Sequence, residues 1–284
     1  MKARRGAPVP GFGSRRERAG RRRRHDGFTL VELAIVIAIV GFLLGAFLAP
    51  LRTQIDASRI RETERMLGDI REALIGYAIV HGALPCPDVV SDGIDGTAPA
   101  ACTGAALEGI LPFQALGSPR ADSWGRLFRY RIAEEFSVSA LTGQPPGDGR
   151  LDLTDSGDIT VLTRGDDPRT AGRTELKHQS VETALTRTAP AVVLSTGPNG
   201  LGGIGVATGT PLAPPPGGGA ADEMENTDAD ATFVSRIHAR GAATCDDSDE
   251  SSVPSPPSCE FDDIVVWIST PVLMARLVEA RVLP

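Results

Sequence analysis

Three sets of residues have the types and spacing to do chemistry. Acidic residues crowd "SDGIDG" (91–96), "DEMENTDAD" (222–230), "CDDSDE" (245–250) and "FDD" (261–263), supplying oxygen ligands of the kind calcium takes. Four cysteines stand at Cys86, Cys102, Cys245 and Cys259. One carboxylate, Glu32, sits inside an otherwise uncharged apolar run from Phe28 to Ala49, "FTLVELAIVIAIVGFLLGAFLA". An ionisable group in a membrane-length run costs at least about 2.5 kcal/mol to insert, so it implies either a partner or a place near the headgroups.

The acids divide by context. "SDGIDG" fails as an EF-hand loop, because Ser91 stands where the first Asp belongs and Cys102 where the bidentate Glu belongs. Taken by themselves, the later segments read as solvated surface charge. The cysteines permit three pairings, of which Cys86–Cys102 and Cys245–Cys259 close short loops without any distant approach. On the loop-entropy model each bridge contributes about 3 kcal/mol. Zinc is the competitor, but neither pair has CxxC-like spacing and no His lies close to either.

Catalysis finds little support. His81, His178 and His238 have no nucleophile beside them in a known signature, and Ser195 lacks a G-x-S-x-G turn. The glycines of "GPNGLGGIG" precede no helix of the kind a phosphate loop needs. The chain is read as non-enzymatic.

The elements that must position these residues follow from patterning. At about 1.5 Å per residue the apolar run makes a helix of membrane thickness. Residues 1–26 hold ten Lys or Arg and two acids, leaving 19 basic and 34 acidic residues after them. That asymmetry predicts a cytoplasmic N-terminus and a translocated acidic remainder, where disulfides persist. Beyond Pro50, Ile60, Thr63, Leu67, Ile70, Leu74 and Tyr77 recur at helical spacing, so an amphipathic helix continues to His81-Gly82. Gly41, Gly45 and Pro50 predict a kink or an extensible stretch.

Downstream, "RLFRYRI" (126–132), "DITVLT" (158–163), "AVVLS" (191–195) and "DIVVWIS" (263–269) read as strands pairing antiparallel. "GTPLAPPPGGGAADE" (209–223) reads as a mobile surface loop, too rich in Pro and Gly for an element. Thr270 as N-cap and Pro271 at the first helical position predict a short C-terminal helix.

Gly27-Phe28-Thr29-Leu30-Val31-Glu32, followed by the apolar helix, closely resembles the N-terminal signal of type IV prepilins and type II secretion pseudopilins. The resemblance implies cleavage by a prepilin peptidase between Gly27 and Phe28 and methylation of the Phe28 amine. It also implies that Glu32 pairs with the Phe28 amine of a neighbouring subunit, which would give the buried carboxylate its partner. Three further stretches resemble the calcium loop of major pseudopilins, "STGPNG" (195–200), "ENTDAD" (225–230) and "FDDIVVW" (261–267), and that resemblance implies a calcium ion held by Asp228, Asp262 and Asp263. "DSWGRLFRY" (122–130) resembles that family's strand entry. The chain departs from the pattern in having Asn199 where an acid belongs, and more than thirty residues before Asp262.

The resulting expectation is an α+β, pilin-like fold. It comprises a basic leader 1–27, a long N-terminal helix 28–82 whose first half spans the membrane, and a head 83–284. That head carries an antiparallel sheet, two cysteine loops and a short C-terminal helix. The expected function is a minor subunit of a type IV pilus, with a type II pseudopilin as alternative and a membrane-anchored binding protein as a third class. Expected partners are the prepilin peptidase, other pilin or pseudopilin subunits and the inner-membrane assembly platform. The expected location is the inner membrane as a single-pass protein with a periplasmic head, and then the filament. Nucleic-acid binding by the head is not decided by the sequence.

Overall fold

The computed structural model describes residues 29–89, 94–137, 151, 153–162, 184–214, 221–236, 238 and 260–283; the side chains of residues 44–52 and 221 are not described. Residues 1–27, Phe28, Cys245 and Cys259 therefore lie outside the described residues. The chain divides into two compact units, Met1–Leu51 and Arg52–Pro284.

Helix α1 runs from Leu30 to His81. The helix assignment runs through Gly41, Gly45 and Pro50. In the first unit every described side chain from Leu30 to Leu43 is exposed, including Leu30, Ile37 and Phe42. An exposed apolar surface of that extent marks an interaction face. Among the described residues no helix is long and apolar enough to cross a membrane.

In the second unit α1 is amphipathic. Thr63, Leu67, Ile70, Leu74 and Ala78 recur at spacings of three and four and are all buried, whereas Glu62, Arg65, Asp69 and Arg71 stay exposed. Arg65 pairs with Glu62 at 2.8 Å and with Asp69 at 3.1 Å along the outer face. Such exposed helical pairs contribute only a few tenths of a kcal/mol each. Burial of the inner face dominates, at about 1.5–3 kcal/mol for each large side chain. Gly82, at φ +73°, ends the helix in the left-handed conformation, and its N–H donates to the Ala78 carbonyl at 2.8 Å.

The inner face packs on an antiparallel sheet of order β1-β2-β5-β7, made of Glu108–Ile110, Arg129–Ile132, Ala191–Ser195 and Ile264–Ile268. β2 and β7 flank the central β5, in which all five residues are buried. Helix α4, Thr270–Glu279, adds Leu273, Met274 and Leu277 to the same core. Its N-cap is Ser269 rather than the expected Thr270, whose hydroxyl instead donates to the Thr188 carbonyl. Tyr130, 1% exposed, donates to the Pro85 carbonyl at 3.1 Å and so fastens the sheet to the segment leaving α1. A disulfide between Cys86 and Cys102 holds that segment to the approach to β1.

The remaining strands, β3 (Ile159–Leu162), β4 (Ala184–Ala189) and β6 (Thr232–Val234), form a second sheet of order β4-β3-β6. Within it β3 and β6 are parallel, against the purely antiparallel expectation. A parallel pair needs a crossover of a dozen residues or more, and the chain between Leu162 and Thr232 provides it. The short helix α2 spans Phe113–Leu116. Another, α3, spans Ala221–Glu225, so the end of the segment read as a mobile loop is helical, with Asp222 and Glu223 fully buried.

Candidate functional site

Among the described residues, chemistry-bearing side chains are found at the start of α1 and at a cluster in the head. At the start of α1, the Thr29 hydroxyl accepts the Glu32 backbone N–H at 3.2 Å, and the Thr29 carbonyl accepts the Leu33 N–H at 3.1 Å. Thr29 is therefore a helix cap, and Glu32 is the acid of the first turn, where the helix dipole favours negative charge. Thr-x-x-Glu is the capping-box spacing, a second reason for a carboxylate at this position that the sequence reading missed. The Glu32 side chain is exposed. The expected processing residues Gly27 and Phe28 lie outside the described residues.

The second place is built from four segments far apart in the chain. Asp122 begins it: its Oδ1 accepts the Trp124 and Arg126 N–H groups, both at 2.9 Å, and its Oδ2 accepts the Ser195 hydroxyl at 2.7 Å. This turn aims Arg126 at the loop after β5, where its guanidinium donates to the carbonyls of Gly197 and, at 2.8 Å, Pro198. Gly197 and Gly200 have positive φ, and Gly197 has no room for a side chain. A Cβ at Gly197 would meet the Asp262 backbone at 2.1 Å, and one at Gly200 would meet Arg126 Nε at 2.0 Å.

Asn199, at the tip, ties the loop to both other segments. Its N–H donates to Asp262 Oδ2 at 2.8 Å, and its side-chain amide donates to both Glu223 oxygens at 3.1 and 3.2 Å. The Asp262 N–H in turn donates to Glu223 Oε1 at 3.0 Å. Glu223 is held by α3, which is fixed through a buried pair between Asp222 and Arg236 at 2.6 Å. The Arg236 guanidinium lies over the Phe261 ring. Asn226 completes the frame, donating to Asp263 Oδ2 at 2.8 Å and accepting the Val234 N–H at 2.7 Å.

Glu223, Asp262 and Asp263 thus converge, with one carboxylate oxygen from each lying within 4.8 Å of the others. Asp228, expected beside Asp262 and Asp263, groups instead with Glu225 and Asp230 on the more exposed turn after α3. The place assigned to Asp228 is taken by Glu223, which sequence reading left in the Pro/Gly loop. The helix-forming run "ADEME" was the signal that could have moved it.

Electrostatics follow from burial. Asp263 is 2% exposed, and burial, with repulsion from Glu223, lifts its carboxyl well above the usual range. Burial likewise raises Glu223 and pushes Asp262 up to about 7. Among the described residues, Asp262 Oδ1 and Asp263 Oδ1 are buried with no hydrogen-bond partner. Crowded carboxylates with orphaned oxygens are relieved by protons or by a hard cation, and the spread of these oxygens suits calcium–oxygen distances of about 2.3–2.6 Å. The residues fit such an ion. A cavity of about 400 Å³ lined by Asp56, Asn199, His238, Glu260 and Asp262 reaches Asp262.

Comparison with known proteins decides the first place. Residues 22–48 match the prokaryotic N-terminal methylation motif. The chain carries a prokaryotic N-terminal methylation motif. The signal begins within the arginine run and carries Gly27, Phe28 and Glu32, so it encloses the capped start of α1. The chain is also similar to fimbrial protein EcpB of Eikenella corrodens, at 34% identity over 71 residues. That match covers 25% of this chain and 44% of the fimbrial protein, less than half its length. No solved structure matches the chain.

Proposed function

We propose that this chain is a minor subunit of a type IV pilus, made as a precursor, cut by a prepilin peptidase after Gly27, and methylated on Phe28. Its work is assembly, not catalysis. The methylation signal at residues 22–48 carries this reading, and the similarity to a fimbrial protein supports it. The apolar residues from Phe28 to Ala49 hold the precursor in the inner membrane with its arginine-rich end in the cytoplasm and its head in the periplasm. On extraction into a filament the same residues pack against neighbouring helices. Glu32 then meets the Phe28 amine of the next subunit, and two charges that are costly alone in a low-dielectric bundle offset one another. The assembly platform and other pilin subunits are the implied partners.

A type II secretion pseudopilin is the second reading, favoured by one observation. The segments at 122–130, 195–200 and 261–267, which resemble that family's calcium-loop region, meet in space through Asp122, Arg126, Asn199 and Asp262. In either filament the cation held by Glu223, Asp262 and Asp263 would be calcium. The experiment is expression beside the cognate peptidase and intact-mass analysis: cleavage after Gly27 supports the filament reading, and an uncut chain contradicts it.

A further inference from the structure

The loop after β5 presents two carbonyls, Gly197 O and Pro198 O, and packs against Asp262 of the carboxylate cluster. Backbone carbonyls next to carboxylates are what a hard cation takes as ligands. Here a charge from within the chain already occupies them. The Arg126 guanidinium donates to both carbonyls, and its charge is felt at Asp262. The loop has made room for it, since a Cβ at Gly200 would fall 2.0 Å from Arg126 Nε and 2.4 Å from its Cζ.

We propose that Arg126 is the resident cation of this loop: it takes the carbonyl ligands a divalent ion would use and leaves that ion only the carboxylates of Glu223, Asp262 and Asp263. This rests on the reading of those carboxylates as a cation site. Arg126 is then a positioning residue that sets how much the loop depends on metal. The sign of its effect follows from what else holds the loop. Without the guanidinium, the Gly197 N–H still reaches the Ser195 hydroxyl at 3.3 Å and the Gly200 N–H still reaches the Thr196 carbonyl at 3.0 Å. Asn199 still reaches Asp262 and Glu223. The loop keeps its shape, two carbonyls are freed, and one positive charge leaves the neighbourhood. Ligand count and charge both set calcium affinity, so the site becomes a stronger one.

The test is calcium titration by calorimetry on the full-length processed chain in detergent micelles, comparing wild type, Arg126→Met and Arg126→Lys. The Met variant should bind calcium roughly tenfold more tightly than wild type, and its melting temperature should be lower in chelator and rise further on adding calcium. A role in packing alone would lower the melting temperature equally with and without calcium. Arg126→Lys keeps the charge but lacks the planar fork that spans two carbonyls, so it should fall between the two. If the Met variant does not fold, the Lys variant alone decides, with tighter binding than wild type expected. Equal or weaker calcium binding by the variants overturns the role of Arg126 while leaving the carboxylate site standing if wild type binds. Binding by the Met variant without any by wild type supports Arg126 and overturns a native cation site. Absence of binding in every form overturns both.

Discussion

The Thr29 hydroxyl caps the backbone N–H of Glu32 at 3.2 Å, so the backbone of this residue is satisfied without its side chain. The hydroxyl of Thr29 and the carboxylate of Glu32 can be removed one at a time. The cap belongs to Thr29 and to the fold of one chain; the exposed carboxylate of Glu32 is left for contact with another.

Glu32→Ala should therefore leave the helix start in place, losing only the dipole contribution of about 0.3–1 kcal/mol. Membrane insertion and cleavage should persist, while co-purification with filament partners fails. Thr29→Ala should do the reverse to the helix, weakening its first turn by about 1 kcal/mol while keeping the carboxylate. Crosslinking of each variant to its filament partners, with a membrane-fraction control, distinguishes them. Normal incorporation of a processed Glu32→Ala chain would show that the carboxylate has no partner on another molecule.

The carboxylate cluster predicts a pH dependence whose sign is fixed. Burial pushes Asp262 up to about 7, whereas an unfolded Asp titrates near 3.9. The folded chain thus holds a proton that the unfolded chain has lost. The resulting stability is fully present below about pH 4 and lost as pH rises through about 7. Calcium replaces the missing proton, so its stabilising shift in melting temperature should be larger at pH 8 than at pH 5. Equal shifts at both would contradict the assignment.

Which acids hold the ion can be tested directly. Glu223→Gln should abolish most of the calcium-dependent shift, because Glu223 is one of the three converging carboxylates. Asp228→Asn, on the neighbouring turn, should leave it intact. The opposite pattern would restore the grouping expected from sequence.

Replacing Cys86 and Cys102 together by Ala should destabilise the head by about 3 kcal/mol on the loop-entropy model, read as a lower denaturant midpoint. Peptide mapping without reductant should also link Cys245 to Cys259. Finding those two thiols free would remove the second expected bridge.

Legibility of the fold tracked how strongly each residue's surroundings were local. The buried stripe from Thr63 to Leu74 and the cores of β2, β3, β5 and β7 follow from periodicity and β-branched runs, which the sequence displays directly. β1, β4 and β6 are not legible that way: "EGI", "ALTRTA" and "TFV" are short or polar, and they are strands because of what they pair with. The site divides the same way. Asp262-Asp263 and Asn199 stood out as dense local motifs, but Glu223 reaches them only through the Asp222–Arg236 pair that fixes α3. Arg126 was visible only as one basic residue in a strand, since its partners are carbonyls more than seventy residues away.

The central claim concerns the precursor. The most direct measurement is intact-mass and N-terminal analysis of the chain purified from membranes that contain a prepilin peptidase. The account predicts a protein beginning at Phe28, one methyl group heavier than residues 28–284. A chain that retains residues 1–27, or begins at any other residue, would contradict it.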